Sequence, residues 1–278
     1  MFEILKAILF GIVEGITEWL PVSSTGHLIL LDEFIELQAT DAFKSMFDVV
    51  IQLGAILAVI VLFFHKLNPF AFKTKSKQER KDTWQLWFKV CVAILPSGIL
   101  GVLFDDWMDA HRHNAVVVSI ALIVYGIAFL FLERGNKGRH LRRIEDVHDI
   151  SYKTAIFIGC FQALSLIPGT SRSGSTILGA ILLGVGRGAG AEFSFFMAIP
   201  TRVGASGIKL LDFFTETGFG MAGHELTVLL VGMVVSFLVS LLVIRGLMDY
   251  VRRHSFAVFG VYRIILGIVV LAYFLLVE

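Results

Sequence analysis

Gly11 to His27 reads GIVEGITEWLPVSSTGH. Strongly apolar sequence surrounds it, yet it carries Glu14, Glu18, Ser23, Ser24, Thr25 and His27, which apolar burial does not explain. Glu14 and Glu18 are four positions apart, so a helix projects them from one face, and Gly11 and Gly15 leave its backbone open to close approach. Pro21 disfavours helical backbone in the residue before it, which predicts that the helix stops near Pro21. Ser23 or Ser24 then caps a new helix running through His27 and Ile29. The unpaired N–H groups and positive dipole end of that second helix make the break a site for an anion.

The 278 residues are 56% hydrophobic with a mean hydropathy of +0.79, too apolar for a soluble domain and with runs long enough to cross a bilayer. The chain is therefore read as an integral membrane protein. A net charge of +1 gives no global attraction to nucleic acid, and basic residues inform only through where they cluster. Cys91 and Cys160 lie in apolar segments without metal-ligand spacing and are read as small core residues, with no disulfide framework. Two glutamates interrupt the first apolar run, and no basic region or small-residue cleavage site accompanies it, so it is not read as a signal peptide.

After the opening stretch, Leu28 to Leu37 is too short to span and leads into an acidic connection, Asp32 to Asp41. A helix pair that enters the membrane partway and returns is predicted. Spans are predicted at Met46 to Phe64, with Gln52 inside, at Trp84 to Phe104, kinked at Pro96, and at Asn114 to Leu132. The second half repeats the plan. Tyr152 to Ile167 runs apolar to Pro168, a short apolar piece from Ser175 to Val185 follows PGTSRSG, and spans follow at Ala191 to Leu211, Leu226 to Ile244 and Phe256 to Val277. At an offset of about 148 residues Gly11 aligns with Gly159, Glu14 with Gln162, Thr17 with Ser165, Ser23 with Ser171 and Gly26 with Gly174, and Pro21 matches Pro168 with a slip of one.

Each unit crosses an odd number of times, so the copies should insert with opposite orientation. The expected fold is an all-α integral membrane protein with six transmembrane helices and two re-entrant helix pairs in an inverted-topology repeat. It forms one membrane domain over residues 1–278, with repeat one over about 1–133, a basic cytoplasmic linker at 134–150 and repeat two over about 151–278. Basic loops, Lys66 to Lys81, Arg134 to Arg143 and Arg252 to Arg253, mark the cytoplasmic side. Acidic stretches, Asp105, Asp106 and Asp109 among them, and both termini are placed outside. The two tips, Pro21 to Ser24 and Pro168 to Ser173, then meet near the membrane centre, in a site open to the outer face.

Intramembrane charge is costly and marks function, which singles out Glu14, Glu18, His27 and Arg172. The plainer reading of the glutamates is a structural ion pair with Arg172, and of His27 a satisfied interior histidine. Gly169-Thr170-Ser171-Arg172-Ser173-Gly174 joins flexible backbone and hydroxyl donors to a guanidinium whose planar fork suits a phosphate or diphosphate. Gln52 and Arg202 occupy roughly equivalent places in later spans, where site and structure are equal readings. Two glutamates beside a diphosphate would repel it unless one is protonated or a cation lies between. Their hard oxygens suit Mg²⁺ or Ca²⁺, giving a divalent cation on Glu14 and Glu18, recruited with the lipid.

EGITEWLPVSSTGH together with PGTSRSG closely resembles the undecaprenyl-diphosphate phosphatase (bacitracin-resistance) family of bacterial inner membranes, over nearly the whole chain. The resemblance implies a multi-pass enzyme of the bacterial cytoplasmic membrane. It would remove the terminal phosphate from a polyprenyl diphosphate lipid, depend on a divalent ion, recycle the cell-wall carrier and meet bacitracin as a competitor for that lipid. It also implies Glu14, Glu18, Ser24, His27 and Arg172 as catalytic, with Ser23, Thr25, Thr170, Ser171 and Ser173 lining the phosphate site; Gly26, Gly169, Gln52 and Arg202 join the substrate-binding candidates by their positions in the sequence. Ser24 is then a candidate nucleophile with His27 or Glu18 as base, and an activated water would use the same groups. Homodimerisation stays open.

A polyprenyl-phosphate flippase or secondary transporter is the main rival, since broken helices in inverted repeats are a transporter layout. The density of acid-base and hydroxyl groups argues against it. An acid-phosphatase-type lipid phosphatase needs a lysine-arginine motif and a second catalytic histidine late in the chain, and STGH is here a superficial likeness without those partners.

Overall fold

A computed structural model describes residues 2–104, 114–136, 144–218 and 220–277. The acidic stretch at Asp105, Asp106 and Asp109 and the basic residues Lys137, Arg139, Arg142 and Arg143 lie outside them. Helix dominates, and among the described residues the only β pairing is an isolated parallel bridge between Ile144 and Val185.

The first half comprises α1 (Phe2–Thr17), α2 (Ser24–Phe34), α3 (Asp41–Leu62), the single turn α4 (Phe64–Leu67), α5 (Lys77–Leu103) and α6 (Ala115–Asn136). The second comprises α7 (Tyr152–Ala163), α8 (Arg172–Leu182), α9 (Arg187–Thr217), α10 (Gly223–Arg253) and α11 (Ala257–Val277). Each half thus opens with two short helices separated by a break and continues with three long ones. Five helices, α3, α5, α6, α10 and α11, are long and apolar enough to cross a membrane, which makes this a multi-pass membrane protein. The sixth expected span, α9, is equally long but carries Arg187, Glu192, Arg202, Lys209, Asp212 and Glu216 and does not meet that criterion.

Helix ends follow local chemistry. α1 ends at Thr17, four residues before Pro21, because residues 18–22 turn instead of continuing, with Val22 N–H donating to Leu20 O. Thr40, Ser76 and Ser151 cap α3, α5 and α7 through their hydroxyls, and Glu79 closes a capping box with Ser76. α5 runs on through Pro96 as one helix of 27 residues.

Apolar side chains gain nothing by leaving lipid for one another, so close packing has to hold the bundle together. Gly11 and Gly15 supply it on α1: a Cβ there would lie 2.6 Å from Gly232 O and 2.8 Å from Ser236 O of α10. Ser240 Oγ donates to Gly15 O across the same contact, at 3.3 Å. The packing partners exchange between halves: α1 lies along α10 and α7 along α5, while α3 meets α9 and α6 meets α11. Around Trp19, the largest fully buried side chain among the described residues, the ring of Phe195 stands edge-on at 5.1 Å, tying the first break to α9.

Cys91 and Cys160 correct the sequence reading, for both are exposed on outward helix faces and neither belongs to the core. An apolar environment outside the bundle makes a small apolar residue equally at home there, so composition could not place them.

Candidate active site

Two serines set the geometry of the breaks. Ser23 (φ 76°, ψ 98°) caps α2 and accepts from the Gly26 N–H at 3.3 Å, while Ser171 (φ 70°, ψ 119°) caps α8 and accepts from the Gly174 N–H at 3.1 Å. They are the only non-glycine residues with positive φ among the described residues. A left-handed serine costs on the order of 1–3 kcal/mol and persists only where its surroundings fix it. Both serines use that conformation to turn the chain so that the next residue, Ser24 or Arg172, begins a helix inside the bundle.

Glu18 is the hub. Its Oε1 accepts from Arg172 Nε and Nη2 at 3.3 and 3.0 Å and from Arg202 Nε at 3.1 Å; its Oε2 accepts from Arg202 Nη2 and Ser24 Oγ at 3.1 and 3.2 Å. Glu18 is 3% exposed and Arg172 6%, so these charge-assisted bonds lie where water screens little. Arg172 Nη1 also donates to Ser194 O at 2.8 Å, fixing the guanidinium plane, and Ser194 Oγ shares a hydrogen with Thr176 Oγ1. Glu14 is fully buried, and neither carboxylate oxygen has a partner. Asp48, one turn before Gln52 on α3, lies within electrostatic reach of it.

The remaining expected residues divide. Ser173 Oγ donates to Leu20 O at 3.1 Å, linking the second tip to the first, and Ser171 Oγ lies 3.2 Å from it. Gly169 (φ 86°) has no room for a side chain, since a Cβ would meet Val118 O at 2.6 Å. Thr170 is buried in the second tip, and Thr25 and Gly26 complete the first turn of α2. Gln52 is buried with an unpartnered Oε1. His27 departs from the spacing argument: Nδ1 lies 2.7 Å from Ser23 O and Nε2 2.7 Å from Tyr262 Oη, so its ring nitrogens engage these groups rather than Ser24. Ser24 instead bonds Glu18.

Sequence reading missed Ser194, Asp48, Tyr262 and Arg263. Arg263, a lone cation inside the last apolar span, carried the same signal that flagged Arg172. It is fully buried and donates only to backbone carbonyls.

Carboxylate, hydroxyl and guanidinium groups are thus brought together, buried, between two broken helices of a multi-pass helical membrane protein. The chain belongs to the bacitracin resistance protein BacA family, whose model matches residues 7–269. It is similar to proteins named undecaprenyl-diphosphatase. That of Enterococcus faecalis is 60% identical over 97% of this chain and 96% of its own length, that of Limosilactobacillus fermentum 58% over 99% of each, and that of Lactiplantibacillus plantarum 56% over the full length of both.

Proposed function

We propose that the chain is an undecaprenyl-diphosphatase, which hydrolyses undecaprenyl diphosphate to undecaprenyl phosphate and inorganic phosphate at Glu18, Ser24, Arg172 and Arg202. The full-length similarity to proteins of that name supports the substrate. The observation that carries the chemistry is the Ser24 to Glu18 hydrogen bond, held between two guanidinium groups.

In this reading Arg172 and Arg202 share their N–H groups between Glu18 and the terminal phosphate, and the N-terminus of α2 faces the same anion. Glu18 takes the Ser24 proton as Oγ attacks the terminal phosphorus. The bridging P–O bond breaks, and undecaprenyl phosphate leaves with its electron pair. Glu18 passes that proton to the departing undecaprenyl phosphate; water then attacks the phosphoserine as Glu18 accepts the water's proton, and the Ser24 oxygen leaves with the P–O electron pair and takes that proton back from Glu18. Direct attack by a water in the place of Ser24 uses the same groups and omits the covalent stage. His27, tied to Ser23 O and Tyr262, holds the loop that presents Ser24.

Among the described residues no cluster of three or more His, Cys, Asp or Glu side chains forms a ready-made metal site, and the residue that would hold a divalent cation recruited with the substrate is Glu14. That carboxylate is fully buried, hard and unpartnered, whereas both Glu18 oxygens are taken by guanidinium groups. Glu14 and Glu18 already balance Arg172 and Arg202, so an entering diphosphate brings surplus negative charge. Mg²⁺ or Ca²⁺ bound by Glu14 and diphosphate oxygens would neutralise it, and Glu18 contributes only if an arginine shifts. Bound there, the ion would polarise the phosphoryl group.

The same reading gives six spans and two re-entrant pairs in inverted repeats in the bacterial cytoplasmic membrane, with the site open outward. Two observations support it: the matching backbone of Ser23 and Ser171, and the exchange of packing partners between halves. α9 is then the sixth span, with Arg202 paired to Glu18, Glu192 to Lys66 and Arg187 to Glu133. Purified protein in vesicles should release inorganic phosphate from undecaprenyl diphosphate; lipid translocation without release would favour a transporter.

A further inference from the structure

The Arg263 guanidinium lies between the two tips. Nη1 donates to Pro21 O at 3.3 Å, Nη2 to both Gly169 O and Thr170 O at 3.0 Å, and Nε to Leu122 O of α6 at 3.5 Å. The Tyr125 ring centroid is 5.5 Å from its Cζ, and the side chain is 0% exposed. Its acceptors stand at telling positions. Pro21 lies two residues before left-handed Ser23, and Thr170 immediately before left-handed Ser171. These serines launch the helices that begin with Ser24 and Arg172. A fork with donors in one rigid plane can hold carbonyls from two chain segments at a fixed separation; a lysine ammonium on a flexible stem cannot. Nor does the first half duplicate the device, for the apolar body of α6 from Ala115 to Leu132 holds no Lys or Arg.

We infer that Arg263 is a positioning residue for the phosphatase reaction, clamping the carbonyls of both tips so that Ser24 and Glu18 of one half stay aligned with Arg172 of the other. It reaches the reacting groups through backbone alone. Because it holds geometry rather than substrate, its loss should lower kcat far more than it raises KM. The inference rests on the phosphatase reading.

Arg263→Lys keeps the charge, and Arg263→Gln keeps a planar donor without it. Each is compared with the unsubstituted protein in detergent for kcat, KM and thermal midpoint, with farnesyl diphosphate as the soluble probe. Misalignment of this kind costs about tenfold to a hundredfold, so kcat per folded molecule should fall by that factor in Arg263→Lys, with KM within about threefold. Arg263→Gln, with two donors on one nitrogen, should fall at least as far. A Lys variant with undiminished kcat would overturn the inference. So would a loss explained wholly by a smaller folded fraction, or aggregation of both variants, either of which would make Arg263 a folding residue. Phosphate release by the unsubstituted protein tests the phosphatase reading separately, and the ratio of variant to unsubstituted kcat tests the clamp.

Discussion

Glu18 and Arg172, from opposite halves of the chain, form a buried ion pair with Arg172 Nη2 3.0 Å from Glu18 Oε1. A third group, Arg202, binds the same carboxylate, with Nη2 3.1 Å from Glu18 Oε2. In the proposed reaction an incoming phosphate shares these guanidinium N–H groups with Glu18, so that one arginine stays on the carboxylate.

Arg172→Lys follows directly. An ammonium keeps the charge but cannot bond Glu18 through two nitrogens while also reaching Ser194 O, so transition-state stabilisation should fall by about 2–4 kcal/mol. Steady-state hydrolysis of a polyprenyl diphosphate measures it, and near-normal kcat/KM would reduce Arg172 to a point charge.

Ser24→Ala removes the hydroxyl bonded to Glu18 and leaves both arginines in place. Turnover should disappear while the lipid still binds, as read by phosphate release beside a binding isotherm. Substantial residual turnover would favour direct attack by water.

The unpartnered carboxylate of Glu14 sets a metal prediction. Excess chelator should suppress activity reversibly, and Glu14→Gln should raise the Mg²⁺ or Ca²⁺ concentration giving half-maximal rate. Full activity in chelator would remove the ion from the account and leave a protonated Glu14 as the way to tolerate the diphosphate.

Much of this site was legible because its residues break a local rule: charges and hydroxyls inside apolar sequence need a reason, and PVSST and PGTSRSG supply caps and breaks together. Arg202 was visible for the same cause, though only the fold shows it on Glu18. What escaped depends on tertiary direction. The spacing of Ser24 and His27 put them on neighbouring turns, but it could not reveal Tyr262, more than two hundred residues away, as the partner of the ring. Arg263 was missed because it stands alone, outside either motif, and its partners are carbonyls that carry no sequence signature. The end of α1 at Thr17 rather than near Pro21 reflects a turn through residues 18–22 that proline alone does not specify.

Topology is open to labelling. With Cys91 and Cys160 replaced by serine because both are exposed, cysteines at Lys77, beginning α5, and at Thr217, ending α9, should react with impermeant reagent from opposite sides. Reaction from one side would sink the inverted arrangement.

The account turns on Glu18 as the base that takes the proton of Ser24 or of water. Its most direct test is inorganic phosphate release from undecaprenyl diphosphate by purified unsubstituted and Glu18→Gln protein, with folding of the variant verified by its thermal midpoint. The account predicts steady release by the unsubstituted protein and none by folded Glu18→Gln at any Mg²⁺ or Ca²⁺ concentration. Comparable release by the two would contradict it.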